Sequence, residues 1–225
     1  MIEIQNLTKI YHRRQEPVYA LNNMSLEFEK SCFYAITGKS GSGKTTLLLS
    51  IGGLIKPSKG TIKIGGKNLY NYSQKELANY RNKAIGFVLQ SFNLVPYLSA
   101  LENVMIPMLM QNRLNGQLHE QAIVLLEKLD LRKRRDFLPR ELSAGQQQRV
   151  AIARALANNP EIILADEPTG NLDPGLSAEI LDIFKDLNEK ENKTIIIVTH
   201  DPKAALKAKK NLKLSDGSLI SEEAA

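Results

Sequence analysis

The sequence predicts an α/β fold with a mainly parallel sheet, an antiparallel β-subdomain at the N-terminus and an inserted α-helical subdomain. Three observations predict it. First, near-continuous apolar runs at 33–36 (FYAI), 162–165 (IILA) and 194–198 (TIIIV) each end abruptly in polar residues. Such runs are strands buried on both faces, as in a parallel sheet covered by helices. Second, segments with helical spacing lie between them, so strands and helices alternate along the chain. Third, the N-terminal region carries shorter, alternating β-rich stretches between turns.

Residues 2–4, 18–28 and 61–64 supply those antiparallel strands. The run 33–36 opens the main sheet, and a glycine-rich loop leads from it into a helix at 45–55. Residues from about 90 to 157 read as mainly helical and form the insert. Within it, 117–129 places Leu118, Ile123, Leu125, Leu126 and Leu129 near helical spacing. The stretch 143–158 is rich in alanine, glutamine and arginine, which favour helix. Strand 162–165 follows, then a helix at 178–189 with Ile180, Leu181, Ile183, Phe184 and Leu187 on one broad face. After 194–198, the Asp216-Gly217 pair between 212–214 and 219–220 reads as a hairpin turn. No repeat or linker divides the chain, so 1–225 reads as a single domain.

A length of 225 residues suits one large domain or one domain with an insert. With 43% hydrophobic and 24% charged residues, the composition is that of a folded chain, not a disordered one. Cys32 is the single cysteine, which excludes an internal disulfide and a cysteine-rich zinc site. It reads as a small apolar residue at a strand start, and a reducing compartment is consistent with it. No stretch approaches the roughly 20 apolar residues of a membrane helix. The opening MIEIQNLTKI is polar from the start and does not read as a signal peptide. A net charge of +6 permits anionic partners without requiring them. The basic run 132–135 and the cluster Lys207, Lys209 and Lys210 read as solvated faces.

Residues Gly38, Lys39, Ser40, Gly41, Ser42, Gly43, Lys44 and Thr45 match G-x-x-x-x-G-K-[ST], between a strand and a helix. Glycines let successive backbone N–H groups converge on phosphate oxygens, and the helix start adds its positive dipole end. Lys44 supplies a cation for the β and γ phosphates, and Thr45 a hydroxyl for Mg2+. This is the P-loop of an NTPase core, and by itself it predicts a nucleoside triphosphate with Mg2+ as ligands. Asp166 and Glu167 end the second apolar run. Asp166 suits the metal, and Glu167 suits orienting and polarising the attacking water. His200 ends the third run at the same sheet edge and is a candidate γ-phosphate contact. His12 and His119 have no such setting.

The stretch Leu142-Ser143-Ala144-Gly145-Gln146-Gln147-Gln148-Arg149, with Asn171-Leu172-Asp173 after the carboxylates, resembles the LSGGQ signature and D-loop of ABC ATPases. The resemblance covers essentially the whole chain. It implies Tyr11 stacked on adenine and Gln90 as the Q-loop residue near nucleotide and metal. It also implies Thr46 in the nucleotide site, Asp173 in the D-loop and His200 as the switch. Ser143, Gly145 and Gln146 would grip the γ-phosphate held by a second copy, so that two chains sandwich two ATP molecules. Ala144 departs from the family's first signature glycine.

The wording of 85–104, 142–160 and 165–173 resembles the branch serving lipoprotein release, macrolide and peptide export, and antimicrobial-peptide resistance in bacteria. That implies a separate integral membrane permease as partner, no nucleic acid, and a peripheral place on the cytoplasmic face of the cell membrane. Residues 91–99 are apolar for a loop; they read either as the contact for a membrane subunit's cytoplasmic helix or as packing within the insert. A non-transport regulatory ATPase coupled to a membrane protein, as in cell division, is the alternative.

Overall fold

The computed structural model describes residues 1–14, 16–110 and 115–224. Positions 111–114 of the expected helical insert lie outside them.

Two long strands, β1 (Ile2–Arg13) and β2 (Glu16–Phe28), pair antiparallel. Ile2, Ile4, Leu7, Leu21, Met24 and Phe28 are buried on one side of this ribbon. The strand foreseen at 2–4 runs much further, because register shifts after Ile4 keep the polar stretch paired. Asn6 and Asn23 take up that irregularity at φ 50 and 48, a region asparagine tolerates. β3 (Phe33–Thr37) opens the main sheet and α1 (Lys44–Ile51) follows the glycine loop. α1 stops short of the predicted position 55: Gly52 caps it and Gly53 turns the chain at φ 67. β4 (Lys59–Ile64) and β5 (Lys67–Asn68) complete a sheet ordered β2-β1-β4-β5.

α2 (Gln74–Ala84) and β6 (Ile85–Leu89) come next, then α3 (Ala100–Leu109), α4 (Asn115–Lys128) and α5 (Ala144–Leu156). These last three helices pack on one another. α2 and α3 both start with a capping box, Ser73 with Glu76 and Ser99 with Glu102. That S-x-x-E signal was present in the sequence and is sufficient to start both helices. The chain closes with β7 (Ile162–Asp166), α6 (Pro174–Glu191), β8 (Thr194–Val198), α7 (Pro202–Lys207), β9 (Lys210–Ser215) and β10 (Ser218–Ala224). Asp216 and Gly217 form the β9–β10 turn with φ 48 and 75, both positive as a two-residue hairpin loop requires.

The main sheet is ordered β10-β9-β3-β8-β7-β6, and every pair except β10–β9 is parallel. Alternation along its strands sorts the core into two layers. Phe33, Ala35, Ile163, Ala165, Ile195 and Ile197 join the cluster made with α3, α4, α5 and α6. Tyr34, Ile36, Leu164, Ile196, Val198 and Leu212 join the cluster made with α1 and the antiparallel sheet. Burying each such side chain contributes about 1.5–3 kcal/mol, so both layers hold the strand ends rigidly at one edge. Cys32, just before β3, is buried, and that burial pushes its thiol pKa up.

Candidate nucleotide site

Parallel pairing sets the site. β6, β7 and β8 run in register, with Leu89 opposite Asp166 and Asp166 opposite Val198. Gln90, Glu167 and Thr199 therefore leave the sheet side by side at its carboxyl edge, where open α/β sheets bind ligands. Gln90, Asp166, Glu167 and His200 share a cavity of about 630 Å³ with Gly38, Ser40, Gly41, Ser42, Gly43, Lys44, Thr45 and Thr46.

The loop can be built only with glycine at two points. A Cβ on Gly38 would stand 2.2 Å from the Leu214 carbonyl oxygen, and one on Gly43 2.1 Å from that of Ala20. Gly43 also sits at φ 98 as the N-cap of α1, and no side chain caps that helix. Its first-turn N–H groups are thus left for another acceptor. Lys44 is 8% exposed, and its Nζ donates to the carbonyls of Gly38 at 2.8 Å and Lys39 at 3.0 Å. The buried Ser42 Oγ has no partner among the described residues. An orphan hydroxyl, an uncapped helix start and a lysine held only by carbonyls fit a polyphosphate.

Across the cavity, Thr45 Oγ1 donates to Asp166 Oδ1 at 3.1 Å. Burial raises the Asp166 pKa above its ordinary value; the Thr45 hydrogen bond opposes that and the neighbouring Glu167 adds to it. A carboxylate and a hydroxyl are hard oxygen donors, and the Gln90 amide lines the same space, so the set fits Mg2+ completed by phosphate and water.

Glu167 is held on both oxygens. Oε2 accepts from Thr199 Oγ1 at 3.0 Å and from the His200 N–H at 3.3 Å, and Oε1 lies 3.0 Å from His200 Nδ1. Its backbone is left-handed at φ 46, and its N–H donates to the Val198 carbonyl at 2.8 Å. Strain of this kind persists where surrounding structure over-determines it. Thr199, fully buried, is given no role by the sequence reading. Its position beside His200 at the end of an apolar run was the available signal.

The sequence pattern of the family described as "ABC transporter" matches residues 21–170. The chain belongs to the ABC transporter family. It is an ATPase of that family. It is similar to the lipoprotein-releasing system ATP-binding protein LolD of Legionella pneumophila, 42% identical over 219 residues, covering 97% of this chain and 96% of that protein. It is also similar to the macrolide export ATP-binding/permease protein MacB of Syntrophobacter fumaroxidans, 44% identical over 229 residues, covering 100% of this chain but 32% of that protein. Among solved structures it resembles the ATP-binding cassette MJ0796, described as the dimeric structure of a post-hydrolysis state bound to ADP and Pi. There the identity is 42% and the TM-score 0.93, covering 100% of this chain and 98% of that one. Among the described residues, no helix is long and apolar enough to cross a membrane.

The remaining ABC motif positions do not line the cavity. Tyr11, on β1, is 40% exposed, with the Lys9 ammonium 5.0 Å from its ring centre. Ser143 is the N-cap of α5: its Oγ accepts from the Gln146 N–H, while Gln146 Oε1 accepts from the Ser143 N–H. The Ser143 hydroxyl proton remains available to an anion. Gly145 lets α5 approach α6, since a Cβ there would lie 3.1 Å from the Leu176 methyls. Ala144 is the first residue of α5 and half-buried. Asp173 caps α6, accepting from the N–H groups of Gly175 and Leu176.

Proposed function

We propose that the chain is the ATPase subunit of a bacterial membrane transporter that works as an ATP-sandwich dimer and drives a separate permease chain. The observation that carries this is Glu167, clamped by Thr199 and His200, facing the same cavity as the P-loop and the Thr45–Asp166 pair. Gly38, Lys39, Ser40, Gly41, Ser42, Gly43 and Thr46 cradle the triphosphate, with Tyr11 stacked on the adenine. Lys44 exchanges its carbonyl partners for β- and γ-phosphate oxygens. Thr45, Asp166 and Gln90 hold Mg2+, which supplies charge neutralisation on those phosphates when bound.

Glu167 orients a water and accepts its proton as the water oxygen bonds to the γ phosphorus. The bond from that phosphorus to the bridging oxygen breaks, and ADP and phosphate leave. His200 contacts the γ-phosphate side and fixes the Glu167 carboxylate. Ser143, Gly145 and Gln146 of the second copy close over the same phosphate from outside, with Asp173 at the seam. The helical insert at about 90–157 carries that surface and, through the loop after Gln90, meets the permease. The likeness to LolD and MacB supports lipoprotein release or macrolide export as the setting. It also supports a peripheral position on the cytoplasmic face of the cell membrane.

The test is turnover and size together. Glu167→Gln should keep ATP binding, lower kcat by about a thousandfold, and shift from monomer to dimer by light scattering when ATP is added. Full-rate hydrolysis by that variant, or a monomer under every nucleotide condition, would sink the reading.

A further inference from the structure

Gln90 leaves β6 at the cavity, and the chain then turns sharply away. Phe92 and Asn93 have φ values of 58 and 50, consecutive left-handed residues of which neither is glycine. Such a corner is unfavourable for L side chains, most of all for a bulky one, and needs outside support. The support comes from α5. The Arg154 guanidinium donates one nitrogen to the Phe92 carbonyl at 2.7 Å and another to the Asn93 carbonyl at 2.5 Å. A planar fork suits two adjacent carbonyls, and the single ammonium of lysine does not.

The same helix begins at Ser143 and Gly145 and is tied to the other half of the site as well. Gln148, fully buried, donates Nε2 to the carbonyl of Pro168, next to Glu167, at 2.7 Å. From the loop after β7, the exposed Asn171 donates to the Gln90 carbonyl at 2.8 Å. Further along, Asn103 of α3, also fully buried, bonds both the N–H and the carbonyl of Val95. The segment from Gln90 to Val95 is therefore strung between the sheet edge and the helices. Arg154 is its link to the helix that bears the anion-binding end.

We infer that Arg154 is a positioning residue for Gln90: its fork fixes the Phe92–Asn93 corner, so the placement of Gln90 in the cavity follows the placement of α5. This rests on the ATPase reading. An arginine that merely fills space would make no such link.

The experiment compares steady-state ATP hydrolysis with Mg2+ in the unmodified chain, Arg154→Lys, and Arg154→Lys combined with Phe92→Gly. Arg154→Lys should lower kcat about tenfold while KM for ATP stays within about twofold, since lost charge-assisted bonds weigh on the reacting geometry and not on the triphosphate cradle. Glycine adopts positive φ without steric cost. Phe92→Gly should therefore bring kcat back to within about threefold of the unmodified chain. A normal kcat in Arg154→Lys, or a loss that glycine does not relieve, overturns the inference. No turnover in the unmodified chain overturns the ATPase reading instead.

Should Arg154→Lys fail to fold, amide hydrogen exchange on the unmodified chain decides. On adding ATP and Mg2+, segments 91–95 and 149–156 should gain protection together; any other pattern overturns the inference.

Discussion

Two helix starts in this molecule carry the proposed phosphate contacts, and they differ in capping and in surroundings. α1 begins without a side-chain cap, inside a cavity of its own chain, beside a lysine bonded only to carbonyls. α5 begins with a capping box that engages the N–H groups of Ser143 and Gln146, away from that cavity. The first is an unfinished site that a phosphate completes within one chain. The second is already stable alone and offers one free hydroxyl proton outward.

That contrast can be broken at several points. The largest effect belongs to α1. Lys44→Ala removes a buried cation from the cavity and should raise the Kd for ATP about a hundredfold by calorimetry. Ser143→Asp is sharper, although smaller in its effect on the single chain. Aspartate is as good an N-cap as serine, so Tm should hold within a few degrees and ATP binding by one chain within about twofold. The ATP-dependent dimer should be lost, because a carboxylate would face the phosphate. A dimer that survives this change would mean that α5 does not close on nucleotide. The smallest effect is at Tyr11. Tyr11→Ala removes one aromatic–base stack and should raise KM for ATP about tenfold, with kcat nearly unchanged.

Legibility in the sequence followed the range of the interactions. The P-loop, the Asp166–Glu167 pair and the Asp216–Gly217 turn were readable because each depends on a few adjacent residues. The helix starts of α2 and α3 were equally local, carried by Ser73 with Glu76 and Ser99 with Glu102, and were overlooked. α1 was drawn too long because apolar residues continue past Ile51, whereas the chain breaks at Gly52 and Gly53. β6 gave a weak signal: five residues with a glycine at Gly86. That glycine is required by packing, since a Cβ there would sit 2.5 Å from the Ala155 carbonyl of α5.

The sequence alone therefore determined the fold class, the phosphate loop, the two carboxylates and the kind of chemistry. A glycine loop, a lysine and a strand-terminal carboxylate have properties that hold wherever the chain goes. Tertiary structure decided which of them meet. Parallel register brings Gln90, Asp166, Glu167 and Thr199 to one edge although they come from three separate strands. It also decided that Thr199 and His200 clamp Glu167, and that Arg154 reaches carbonyls 61 and 62 residues earlier in the chain. Contacts at that separation depend on packing two apolar layers against one sheet, and no local pattern encodes their geometry.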